Sequence, residues 1–515
     1  MFEQGNEIFD VIWSSVFAYL IIGLPIFVSM SPGCLAAKEF STFRLQQFEL
    51  HGTSYGTSGS VLNLETRILP GSPIVTSPRR CYVVKLMDLT VGMYRDLLKH
   101  SVAGILIIVP ADLSDISETT KEQIQDLESV MLEEATSVPV YFVKEDDDVL
   151  QLYSTVKSNA DILGPTSTGF ETLIHHIQGN GVQLVSSLGT SKAVTDAQIT
   201  TIQGTLVGSK TTNNYPILIC SHYDSMSPAA ELSFGGDANG SGSVALLELA
   251  RLFSHLYSGR GSSGKSGRQY SSLLFLLSGG GHFNYQGTQK YLEDQIESLD
   301  HSDLQDTRLA LCLDSLSGNK NELFIHVSRS IREGTITSLL DTKENIDVDD
   351  LVIKTHVIAE ALAASIYNVS GNGPAFSGSL AVSKTSVSSM LDFIVSEPRS
   401  AQLLASKNNK FVQSLRSALA RFTHETSLFY MKPDKRDANL VFYDSTAGTI
   451  TAYDVKPAVF DLILSIAVAA YIAVIYTALK NFHILFDKVS INRQEVNSNG
   501  LNGNNVTHGK GTKVQ

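Results

Sequence analysis

Cysteine is scarce in this sequence. Its four residues, Cys34, Cys81, Cys220 and Cys312, are spread through 515 positions, a spacing that excludes the dense disulfide framework of a small secreted domain. Cys220 and Cys312 each fall in an apolar run that reads as a buried strand, where a thiol packs as a small hydrophobe. Unbridged buried thiols are therefore expected, and cysteine usage leaves the compartment open. Positive charge is also in deficit. The 39 Lys and Arg stand against 52 Asp and Glu, a formal net charge of −13. A nucleic-acid footprint needs clustered Lys and Arg, so no nucleic acid is expected among the partners. Charged residues of both signs make up only 18% of the chain against 43% hydrophobic, a balance that excludes a disordered polymer. The length suffices for one large domain or two ordinary ones, because single cores stop growing near ~250–300 residues.

Two long apolar runs are present. Residues 11–30, VIWSSVFAYLIIGLPIFVSM, lack any charge and are followed by the small residues Ala36 and Ala37, the pattern of an h-region and a cleavage site. The preceding Glu3, Glu7 and Asp10 are acidic where a signal is ordinarily basic, so residues 1–37 read as a signal peptide or as a retained signal anchor. Residues 459–479, VFDLILSIAVAAYIAVIYTAL, are long enough at ~1.5 Å per residue to cross a ~30 Å hydrocarbon core. Lys480, Lys488 and Arg493 lie beyond this run and Lys456 lies before it. The positive-inside bias then places the Asn- and Gly-rich tail, 480–515, in the cytosol as a disordered segment. The bulk is then expected to be luminal or extracellular, on a single C-terminal span of type I orientation. Sequons at Asn239 and Asn368 are then glycosylation candidates, while Asn505 faces the wrong side.

Between the two runs the pattern is α/β. Short β-rich runs occur at 102–110, 138–143, 215–220, 272–278, 309–316 and 322–328. Most are apolar on both faces, which suits a mixed sheet covered by helices on each side. VALLELARLFSHLYS, 244–258, has the spacing of a core-packed helix, with Asn239 and Ser241 as cap candidates. His222 and Asp224 follow one run, Gly279–Gly281 the next and Asp314 ends a third. Ligands of open α/β sheets bind outside the carboxyl ends of the strands, so these residues should converge on one cleft.

The motifs SHYDS (221–225), DANGSG (237–242), SGGGHF (278–283) and LCLDS (311–315) together resemble the co-catalytic zinc aminopeptidase family, which includes glutaminyl cyclases, the transferrin receptor ectodomain and nicastrin. Active members look like H-x-D, then D-N-x-S-G, a Glu-Glu pair, a strand-end Asp and a final His. Two zinc ions about 3.5–4 Å apart need a bridging carboxylate and terminal ligands, and the attacking water needs a Glu as base. By this resemblance His222 stands at a ligand position and Asp224 orients it, while Asp314 matches a further ligand. The bridging carboxylate falls on Ala238, the base on Gly281 and the next ligand on His282. Asp237 is adjacent to the bridging position, but a neighbouring side chain points elsewhere. A lone loop histidine such as His282 is ordinarily solvated, and Asp314 reads equally well as a strand-end carboxylate satisfied by amides. The interval between 328 and 354 is too short for the helix and strand that would carry the final His, and His356 lies inside a helical pattern. The resemblance thus implies a degenerate site with no catalytic residue, no metal and no other cofactor.

Longer stretches narrow the resemblance. YGTSGSVLNLETR (55–67), NGSGSVALLELARLFSHLY (239–257), SGGGHFNYQGTQKYLED (278–294), IAEALAASIYNVS (358–370), PDKRDANLVFYD (433–444) and VKPAVFDL (455–462) are similar to the nicalin-like branch of that superfamily. It implies a scaffold in the endoplasmic-reticulum membrane. The implied partners are a Nodal modulator-like luminal protein, a small multi-span membrane protein, the translocon and ribosome-associated insertion machinery, and the lipid bilayer. Assembly of multi-span membrane proteins and modulation of Nodal signalling are the implied roles. The expected organisation is an N-terminal luminal region over 38–200, a shortened, inactive aminopeptidase-like α/β domain over 201–385, and a helical membrane-proximal region over 386–457. Two other readings of the residues stay open: a luminal zinc metallopeptidase or cyclase with a rearranged site, and a cleft that receives free N-termini without cutting them.

Overall fold

The computed structural model describes residues 38–68, 80–112, 116–162, 181–208, 215–258, 271–297, 304–317, 322–325, 346–367, 374–432, 439–455 and 458–480, apart from 101, 305, 306 and 308. Residues 1–37, expected as a leader, residues 481–515 of the expected tail, Asn368 and the interval 326–345, where a final His was sought, lie outside the described residues. Residues 37–161 and 182–453 cluster as one compact unit, while the helix Ala458–Lys480 belongs to another.

The sheet that carries the motifs has five strands in the order Leu309–Leu313, Ile217–His222, Leu273–Ser278, Ile199–Leu206, Glu425–Met431. The first three run parallel, and Ile199–Leu206 is antiparallel to both its neighbours. The sequences ILICSH and LLFLLS form the central strands because β-branched and large apolar side chains fill both faces of a pleat. On one face Ile217, Ile219, Phe275 and Leu277 pack with Val244, Leu247 and Phe253 of the helix Gly242–Tyr257 and with the helices Val348–Tyr367, Lys384–Ile394 and Lys410–Ala420. On the other, Leu218, Leu274 and Leu276 meet Tyr291 of the helix Gln286–Glu297. Each fully buried Leu or Phe in these layers contributes about 1.5–3 kcal/mol. The layers fix where the strand ends lie.

A second sheet closes on itself in the order Lys38–Arg44, Ala447–Val455, Gly181–Ser186, Asn63–Ile68, Cys81–Lys85, Gly104–Val109, Val140–Lys144. Its strands are apolar on both faces: Val83, Leu106 and Val143 pack with Val149 and Val156 of the helix Asp147–Ile162. Val84, Ile107 and Phe142 pack with Leu97, Ile124 and Met131. Arg44, fully buried, donates to the carbonyls of Thr57 (2.9 Å), Ser445 (2.9 Å) and Asp444 (3.0 Å), and so ties the start of this unit to its end. Burial lowers its pKa, opposed by Tyr141, Asp444 and Glu231.

Three expectations are corrected here. The region 386–457 is not simply helical: beyond Lys410–Ala420 come the strands Glu425–Met431, Leu440–Tyr443 and Ala447–Val455, and its helices supply Val387, Leu391, Phe411 and Leu415 to the main core. Residues 322–325 form no strand, and Leu323, Phe324 and Ile325 are exposed. Cys312 is exposed rather than buried, because its strand is last in the sheet among the described residues.

The helix Ala458–Lys480 has 23 residues, about 34 Å at 1.5 Å per residue. Leu462, Ile466, Val468, Ile472 and Tyr476 are exposed along it. Among the described residues, no helix is long and apolar enough to cross a membrane, and the side chains of 458–461, 463, 474 and 477–480 lie outside the description. The span expected at 459–479 is taken up again as a proposal.

Candidate functional site

Three parallel strands end side by side, at His222, Ser278 and Leu313, and the loops that leave them meet. Asp224 is fully buried, and both its carboxylate oxygens accept from the Gly281 amide at 3.1 Å. Its backbone carbonyl accepts from Asn239 Nδ2 at 2.8 Å. Burial raises the Asp224 pKa to about 6, against the backbone bond from Gly281 and the charge of Arg399. It is therefore ionised at neutral pH.

His222 is enclosed by the Tyr285 ring, 4.9 Å between centroids, and its Nδ1 has no hydrogen-bond partner. His282 does not extend into solvent as a loop histidine ordinarily would. Its Nε2 lies 3.1 Å from Asn239 Nδ2; the amide can only donate, so Nε2 accepts and this ring is neutral. Desolvation lowers both imidazoles to about 4, opposed at His222 by the Ser278 carbonyl and assisted at His282 by His222 and Arg399.

The positions that the resemblance assigns to zinc ligands are differently occupied. Ala238 presents a methyl group, as expected from the sequence. Asp237 does not replace it: Oδ1 accepts from Ser241 Oγ (2.8 Å) and the Ser317 amide (2.7 Å), and Oδ2 accepts from Ser315. Its carboxylate is committed to the loop after the edge strand. Asp314 accepts from the Asn239 amide at 3.3 Å, and burial raises its pKa, opposed by that bond and assisted by Asp237. At Gly281 a Cβ would lie 2.6 Å from His222 Cγ, so the imidazole occupies the space a base would need. Among the described residues, no three His, Cys, Asp or Glu side chains are grouped to hold a metal ion. The residues present do not fit a two-zinc centre. His356 lies on the helix Val348–Tyr367, 4.0 Å from Glu360.

The turn 237–241 also departs from its expected role as a helix cap. It is a single wide turn with Asn239 at φ 62°, and Ser241 makes no side-chain cap but donates to Asp237. A left-handed φ suits asparagine, whose short amide bonds locally. Asn239 is 5% exposed with its amide nitrogen bonded to Asp224 and His282. A glycan has no room on that nitrogen in the folded protein. The glycosylation expectation at Asn239 is corrected accordingly.

Sequence reading missed Arg399. Its guanidinium is fully buried and donates to the carbonyls of Tyr223, Phe234 (2.8 and 3.1 Å) and Gly235. It joins the loop bearing Asp224 to the loop leading into 237–241. No local signal marks it, since SEPRSAQ looks like an ordinary connection.

These shifts set a pH response. His222 and His282 titrate near 4 in the fold against 6.5 when free, so their contribution is complete above pH 6.5 and is lost as pH falls towards 4. Asp224, about 6 against 3.8, acts oppositely: its contribution declines as pH rises from 3.8 to 6. Asp314 and Glu231, raised by burial as well, act in the same sense as Asp224 but by less, and the two imidazoles outweigh the carboxyls together. The thermal midpoint of the full chain should fall between pH 7 and pH 5, and fall less in His282→Gln. A midpoint that holds or rises on acidification would contradict the neutral imidazole pair.

Residues 201–349 match the family model described as Peptidase family M28. Along most of its length the chain is similar to BOS complex subunit NCLN of Homo sapiens, 34% identical over 527 residues that cover 89% of this chain and 92% of that relative. It is 33% identical to BOS complex subunit ncln of Danio rerio over 575 residues, covering 94% and 98% respectively. Nicalin of Caenorhabditis elegans is 23% identical over 559 residues, covering 92% and 96%. Among solved structures, the chain resembles that titled "Crystal structure of the gamma-secretase component Nicastrin", with a TM-score of 0.55 and 8% identity, covering 82% of this chain and 100% of that one. At that identity the likeness is one of fold.

Proposed function

The chain belongs to the nicalin family, that of BOS complex subunit NCLN, and from that premise we propose that it is a non-catalytic subunit of a BOS-type complex in the endoplasmic-reticulum membrane. Residues 459–479 anchor it there with the bulk in the lumen and the tail in the cytosol. Its partners are a Nodal modulator-like luminal protein and a small multi-span membrane protein. The complex assists translocon-linked insertion and assembly of multi-span proteins and modulates Nodal signalling.

The observation that carries this reading is a similarity reaching across 89% of the chain to a relative named as a complex subunit. The chemistry of the cleft supports it. A methyl group at Ala238 and an imidazole packed into the space beside Gly281 leave neither a shared carboxylate nor a glutamate where the resemblance puts the base for the attacking water. Loss of single elements of this kind costs about 10²–10⁴ in rate. A scaffold needs only the fold, which its core residues keep.

The test is purification of the full chain from microsomes in mild detergent, with co-purifying proteins identified by mass spectrometry. Recovery of a luminal partner, a multi-span partner and translocon components is the expected result. Recovery of the chain alone, from membranes in which those proteins are present, would refute the scaffold reading.

A further inference from the structure

Cys220 and Cys312 stand opposite one another on adjacent parallel strands. Neighbouring strands lie about 4.7–4.9 Å apart, inside the ~4.4–6.8 Å between α-carbons that a disulfide spans. Paired residues of adjacent strands share a face of the pleat, and the two Sγ atoms are 2.7 Å apart. Their exposure differs. Cys312 is exposed on the last strand of the sheet among the described residues, whereas Cys220 is 8% exposed behind it. Cys81 is fully buried in another core cluster.

We propose that Cys220 and Cys312 are a reversible disulfide pair, with Cys312 the thiol that meets the oxidant. The oxidant is a small-molecule disulfide of the glutathione class. The Cys312 thiolate attacks one sulfur of that disulfide, an S–S bond forms to Cys312 and the donor's own S–S bond breaks, releasing one thiolate. Cys220, as thiolate, then attacks Cys312 Sγ, forming the protein disulfide and releasing the second donor thiolate. Two electrons pass from the cysteine pair to the donor, and the two protons lost end on the released thiols. Excess dithiol reverses both steps by the same exchange. The bond ties the edge strand to its neighbour two residues before Asp314 and two before His222, at the two strand ends that frame the cleft. It closes a loop with a sequence separation of 92 residues, and longer loops give the larger restriction of the unfolded chain.

The full chain in mild detergent, incubated with oxidised glutathione, alkylated and mapped by mass spectrometry, decides the matter. A peptide joining Cys220 to Cys312 should appear, disappear with dithiothreitol and be accompanied by an upward shift of the thermal midpoint. In Cys220→Ala the glutathione adduct should accumulate on Cys312, because nothing resolves it. In Cys312→Ser, Cys220 should stay unmodified. Both thiols remaining alkylatable after oxidation, or an adduct on Cys220 with Cys312 free, would overturn the proposal. The joined peptide in the unaltered chain decides by itself if either variant fails to fold.

Discussion

Arg399→Met is expected to lower stability by about 3–5 kcal/mol and to free the loops that carry His222, Asp224 and Asn239. Methionine roughly matches the volume of the arginine stem, so the loss does not come from a cavity. It comes from the carbonyls of Tyr223, Phe234 and Gly235, which give up the donors that satisfy them. A buried acceptor without a donor bears its full desolvation cost. The backbone is closed round the guanidinium as well: a Cβ on Gly240 would lie 3.0 Å from Arg399 Nη2 and 2.3 Å from the Gly235 carbonyl oxygen. Arg399 also donates its own amide to Ser233 (2.7 Å) and accepts from Ser225 (2.8 Å), and these bonds survive the substitution. The side chain is thus tested separately from the backbone. Lysine should rescue little, because one ammonium does not reproduce a planar fork of donors spread over three carbonyls. Urea denaturation followed by circular dichroism, with limited proteolysis of 223–241, measures both effects. An unchanged midpoint with an intact loop would show that the carbonyls find other donors.

Introducing the carboxylates that the resemblance assigns to positions 238 and 281 should not create a zinc site. Ala238→Asp combined with Gly281→Glu is expected to bind no stoichiometric zinc and to hydrolyse an aminoacyl p-nitroanilide no faster than buffer, while Gly281→Glu alone lowers stability by about 1–3 kcal/mol. The new Cβ would meet His222 at Cγ (2.6 Å), Cβ (2.9 Å) and Nδ1 (3.0 Å). These atoms belong to a ring held against Tyr285, not to a flexible tip. Moving the turn to relieve the clash strains the amide bonds from Gly281 to both oxygens of Asp224. An aspartate at 238 would also join Asp237 and Asp314, where desolvation and the charge of Asp237 already raise the Asp314 pKa, and like charges there disfavour one another. Metal analysis of the purified variant, its turnover and its thermal midpoint form one experiment. Near two equivalents of zinc together with turnover would show that the site has merely lost residues rather than been refilled.

The refilling separates what the two levels of description reveal. The motif comparison identifies Ala238 and Gly281 as departures from a hydrolase pattern, because a missing carboxylate is visible in a string of letters. It does not reveal that His222 fills the space beside Gly281, that Asp237 faces Ser315 and Ser317, or that Asn239 bonds to His282. Those contacts join residues tens of positions apart. His282 looks like a solvated loop histidine until the loops are brought together, and Arg399 shows no sign of importance until three carbonyls converge on it.

By itself the sequence determined the elements whose signal is local: the two-faced apolar strands read at 215–220 and 272–278 and the helix read at 244–258. Each is set by periodicity within a single run, and periodicity is a property of neighbours along the chain. Only the tertiary structure decided the strands of 425–455, where Ile199 pairs with Met431 in the five-stranded sheet, and the closed second sheet, where Lys38 pairs with Ala452. Short alternating segments such as ETSLFYM and AGTITAYDV gain their stability from distant partners, because a strand's hydrogen bonds, unlike those of a helix, are made to another strand.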